Sequence, residues 1–138
     1  MWAKTLWFTG SAIFLGLGTL HLFYTFFSNK FTARNKEVVT AMKNTSPVLT
    51  NETTMWNAWI GFNASHSAGA IFIGLVNIIL VVQYFHVLQN SLVLVLLNIA
   101  TATFYCWLGR RYWFRIPLTG ILITTGCFVA ASIILFVA

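Results

Sequence analysis

The stretch Thr54–Gly74, TMWNAWIGFNASHSAGAIFIG, decides how the whole chain is read. It has no charged residue and runs on into an apolar tail as far as Phe85, so it reads as one membrane-crossing helix. Residues three and four apart on a helix are neighbours, which puts Asn63, His66 and Ser67 on one face, followed by Ala70, Gly74 and Asn77. A polar and small-residue stripe of this kind must find partners inside the protein, because unpaired polar groups in hydrocarbon are costly. The helix therefore belongs to a bundle, and the activity is expected against that stripe.

The composition agrees. Of 138 residues 59% are hydrophobic and only 7% charged, whereas a water-soluble domain carries about a quarter charged residues. The net charge of +6 is split between connecting segments, which points to membrane topology rather than to nucleic acid as a partner. Cys106 and Cys127 lie in or beside apolar runs with no CxxC spacing, so neither a zinc signature nor a thiol exchanger is present. Leu6–Phe27 is long enough to span and has no clear signal-peptide cleavage site.

Outward from the deciding stretch, four spans are predicted: 6–27, 56–85, 91–108 and 117–138. The expected fold is all-α, a single transmembrane four-helix bundle with both termini on the same side. Residues 28–55 form the long polar connection, within which Arg34–Lys43 reads as a short amphipathic surface helix or a solvated connector. A tight connection is expected at Gln89–Asn90 and a basic, aromatic turn over GRRYWFRIP, 109–117. Lys30, Arg34, Lys36, Lys43, Arg110, Arg111 and Arg115 fall on one side of the membrane and Lys4 alone on the other. The positive-inside rule then makes 28–55 cytoplasmic and both termini periplasmic.

His21 and His66 are expected at similar depth on helices adjacent in sequence. Two such imidazoles suit a polar pocket with Tyr24, Asn63 and Ser67, in which Asn63 fixes a histidine tautomer and Arg110 and Arg111 hold an acidic group at the mouth. The reading is a non-enzymatic site for a lipid or other small amphipathic ligand. The alternatives are a haem, copper or zinc site at His21 and His66, or a structural subunit whose polar residues are interhelical glue worth about 1 kcal/mol or less each. No carboxylate lies in a span: the two acidic residues, Glu37 and Glu52, are both in 28–55. Carboxylate-driven transport, two-carboxylate hydrolysis and a Ser-His-Asp set are therefore excluded. The Gly61, Ser65, Gly69 repeat gives the second span a close-packing edge, from which a homo-oligomer is expected.

TTMWNAWIGFNASHSAGAIFIGL (53–75), with GTLHL (18–22) and RRYWF (110–114), resembles a widespread family of small four-span bacterial inner-membrane proteins. The resemblance covers nearly the whole chain and implies bacterial origin, the inner membrane and four helices, but carries no activity. In span count alone the chain is also similar to DoxX-like proteins, a likeness too generic to transfer function.

Overall fold

Four helices in the computed structural model, which describes residues 1–137, are long and apolar enough to cross a membrane. They are α1 (Trp2–Phe27), α3 (Met55–Gln83), α5 (Leu92–Tyr112) and α6 (Arg115–Phe136); α2 (Lys36–Asn44) and α4 (Phe85–Asn90) are short. No strand occurs among the described residues. The chain is thus a multi-pass, all-α membrane protein.

The pattern of exposure is that of a protein whose solvent is lipid. Ser11, Thr25, Ser67, Asn77 and Thr124 are buried, while Leu20, Phe23, Phe26, Phe72, Leu75 and Leu97 are exposed. In water this arrangement would leave large apolar side chains hydrated; in a bilayer the same side chains face acyl tails, and the polar groups go where protein can satisfy them. The buried hydroxyls of Ser11, Ser67 and Thr25 bond back to Trp7 O, Asn63 O and His21 O one turn earlier, which removes their cost without a partner helix.

The chain divides into two compact units, Gly18–Gly69 and Met1–Leu17 with the residues from Ala70 onward. The second of these contains parts of all four spans. A Cβ placed on Gly10 would touch Cys127 and Phe128, and one on Gly120 would touch Ile13 and Leu17. Chain numbers rise along α1 as they fall along α6, so the two are antiparallel, and the start of α1 and the end of α6 lie at one end of this unit. The Thr124 hydroxyl donates to Gly10 O at 3.2 Å, and the Cys106 and Thr125 side chains meet at 3.2 Å between α5 and α6. Trp7, Phe14, Val95, Ala102 and Phe128 have no exposed surface and make the centre.

At that centre Trp7 stacks on Phe128, ring centroids 4.6 Å apart, and its indole N–H donates to Asn77 Oδ1 at 2.9 Å. Asn77 Nδ2 donates to Ile73 O at 2.9 Å and to Asn98 Oδ1 at 2.6 Å. Asn98 Nδ2 in turn donates to Leu94 O at 2.9 Å. One polar chain therefore links α1, α3 and α5, and the stack on Phe128 adds α6.

Several expected bounds move. The first span begins at Trp2 rather than residue 6. The second stops at Gln83, two residues short, and the connection placed at Gln89–Asn90 is a separate helix, α4, whose Leu88 is buried. The third continues to Tyr112 and the fourth starts at Arg115, so only Trp113 and Phe114 separate them where a nine-residue turn was expected. The expected fourth span also reached Ala138, which lies outside the described residues. Arg110 and Arg111 occupy the last turn of α5, where a cation complements the helix dipole and a long apolar stem lets the charge reach the interface. Hydropathy ends a span at the first charge, but the backbone has no reason to stop there.

Candidate functional site

The unit Gly18–Gly69 holds the candidate site. It is the end of α1, the polar connection with α2, and the beginning of α3. α2 forms within the expected segment; Asn35 caps it by accepting from the Glu37 N–H at 2.9 Å. Thr45 O accepts from the Met55 N–H at 2.8 Å and closes the connection where α3 begins.

His21 of α1 and Asn63 of α3 meet. Asn63 Nδ2 donates to Trp59 O at 2.8 Å, so the amide oxygen is turned towards α1. That oxygen accepts from His21 Nε2 at 2.9 Å, which fixes the Nε2–H tautomer and leaves Nδ1 as the acceptor nitrogen. The His66 ring stands edge-on to the His21 ring, centroids 5.4 Å apart. Ser67 is fully buried and its hydroxyl donates to Asn63 O, within α3. Tyr24 lies under the Lys30 ammonium, 4.0 Å from the ring centroid. Arg110 and Arg111 belong to the other unit.

Five residues that the stripe argument left out, Lys30, Phe31, Met42, Trp56 and Trp59, complete the arrangement. Phe31, just past the end of α1, lies against the His21 ring with centroids 4.4 Å apart. The Trp59 indole N–H donates to Phe31 O at 3.1 Å and pins that turn to α3. Lys30, Phe31, Trp56 and Trp59, with Met42 from α2, line a cleft of about 280 Å³. Phe31 therefore both lines the cleft and packs against His21. A signal for this existed in the amphipathic spacing of α2 and the paired tryptophans. What sequence patterns lack is the return of the chain after Phe27 that brings Phe31 back over His21.

No family model, curated protein or solved structure matches the chain. The site has to be read from its own chemistry.

The donor set is short for a metal. His21 and His66 supply two imidazoles, one already committed to Asn63, and no group of three or more His, Cys, Asp or Glu occurs among the described residues; closed zinc sites take four protein ligands and catalytic ones three. What the arrangement can do is present a cation and three aromatic residues to something entering the cleft, with a tautomer-fixed imidazole packed against one of them, Phe31. The His21–Asn63 bond is itself measurable. A double-mutant cycle of His21→Ala and Asn63→Ala in mixed-micelle unfolding is expected to return a coupling of about 0.6–1.7 kcal/mol, the range of interhelical hydrogen bonds in membranes. Additive effects would show that the two side chains contribute separately.

Proposed function

We propose that this chain is a non-enzymatic protein of the bacterial inner membrane, 28–55 cytoplasmic and both termini periplasmic, that holds a lipid or other small amphipathic ligand in the Lys30 cleft. The observation that carries the reading is the cleft of about 280 Å³ walled by Phe31, Met42, Trp56 and Trp59 and bearing Lys30. Apolar and aromatic walls with one placed charge suit a ligand with an apolar body and an anionic head. Lys43, 5.4 Å from the Trp56 ring centroid, adds a second cation nearby. The distribution of Lys and Arg supports the orientation. The exposed edge of Gly61 and Ser65 supports self-association through α3.

Native mass spectrometry of the purified protein, titrated with phosphatidylglycerol against phosphatidylcholine, tests the ligand. Preferential retention of phosphatidylglycerol is expected, reduced about fivefold to tenfold in Lys30→Gln and in Trp59→Ala, as for the loss of one charged or aromatic contact. In His21→Ala the Phe31 wall loses its backing, and a weaker retention is expected. Unchanged retention in every variant, with thermal stability alone lowered, would instead support the structural-subunit reading. The juxtaposed His21 and His66 rings favour haem or metal as a second reading; a Soret band, or stoichiometric copper or zinc after supplementation, would carry it.

A further inference from the structure

A second cleft, of about 160 Å³, opens between α3 and α5 in the other unit. Its walls include Phe72, Val76 and Leu97, and its polar lining is Asn77, Asn98 and Thr101. It shares no residue with the Lys30 cleft.

The chain of amides behind it runs in one direction. Trp7 has only an N–H to give, so Asn77 Oδ1 must face it; both protons of Asn77 Nδ2 are then taken by Ile73 O and Asn98 Oδ1. Asn98 Nδ2 gives one proton to Leu94 O, and among the described residues its second proton has no acceptor. Donors linked in series polarise one another, so this terminal N–H is a strengthened donor. Asn98 lies six residues into α5 from Leu92, about 9 Å along the helix at 1.5 Å per residue, within one of the four helices apolar enough to cross a membrane. In an apolar span the acceptor that suits this N–H is one carried by a membrane-soluble molecule.

We infer that the α3–α5 cleft binds the ring of a benzoquinone-class molecule, one carbonyl accepting from Asn98 Nδ2 and the tail lying among the acyl chains. Size fits as well as polarity, since an apolar cavity of about 150 Å³ takes one six-membered ring. Phe72 offers an aromatic face to that ring, and Val76 and Leu97 supply apolar walls.

The test uses the whole chain in phosphatidylcholine nanodiscs and a short-tailed benzoquinone labelled with ¹³C at its carbonyls. Saturable binding at one per chain is expected, with one carbonyl stretch shifted to lower frequency. Asn98→Leu removes the donor and is expected to abolish the shift and weaken binding about fivefold. Val76→Phe leaves the amide chain intact and fills the ring space; loss of binding is expected with helicity and unfolding midpoint near wild type. Absence of saturable binding to the wild type overturns the inference, as does the same affinity and shift in both variants. Full displacement of the quinone by a triacylglycerol, whose only polar groups are ester linkages, would overturn it too.

Discussion

Replacing Trp7 with alanine is expected to cost about 3 kcal/mol of unfolding free energy, the low end of the range for an aromatic truncated in a core. The low end applies because helices in lipid associate by packing and hydrogen bonding rather than by escape from water. Trp7 has no exposed surface, stacks on Phe128 and donates to Asn77, so the truncation opens a void on α6 and strips the first donor from the amide chain. Trp7→Phe keeps much of the volume and the stacking partner while losing the N–H, and about 1 kcal/mol is expected. Unfolding in mixed micelles with increasing dodecyl sulfate, followed by circular dichroism, reads both. A Trp7→Ala midpoint within error of wild type would mean that the stack and the amide chain are not what holds this unit together.

The second large effect is expected at Gly74. A Cβ there would lie 2.6 Å from the backbone nitrogen of Leu15 and 2.8 Å from its Cα, where the obstacle is main chain and cannot rotate away. α1 and α3 would have to part, at a cost of about 1–3 kcal/mol from overpacking, with the Trp7–Asn77 bond between the same helices stretched in turn. Two other glycines calibrate the result. At Gly120 the nearest atom is Leu17 Cδ1 at 2.8 Å, a side-chain tip that can turn aside, so Gly120→Ala should cost well under half as much. At Gly126 nothing lies within 4 Å; Gly126→Ala should be neutral or stabilising by up to about 1 kcal/mol through helix propensity. If the three alanine variants unfold alike, close approach of α1 and α3 at Gly74 is not limiting.

These two positions also show what a linear reading misses. Gly74 is visible in the stripe from Asn63 to Asn77, but that it seats the backbone of Leu15 is a property of how two helices are rotated against each other. Trp7 reads from sequence as one more aromatic near the amino end; its role comes from meeting Asn77 and Phe128, both distant in the chain. The His21–Asn63 pairing was more legible, because each residue interrupts an apolar run on successive spans and Asn63 was expected to fix a histidine tautomer.

Number and character of the crossings, and the need of the Asn63–Ser67 face for protein partners, are written in the chain itself. Hydropathy and the 3.6-residue repeat are local, and hydrocarbon tolerates few other solutions. Choice among partners was left to the packed structure: Phe31 against His21, Lys30 at a cleft, and an amide chain whose last N–H has no acceptor among the described residues. Those outcomes depend on helix rotation, depth and the return of loops, which are set where backbones touch and where no periodicity in the sequence reports them.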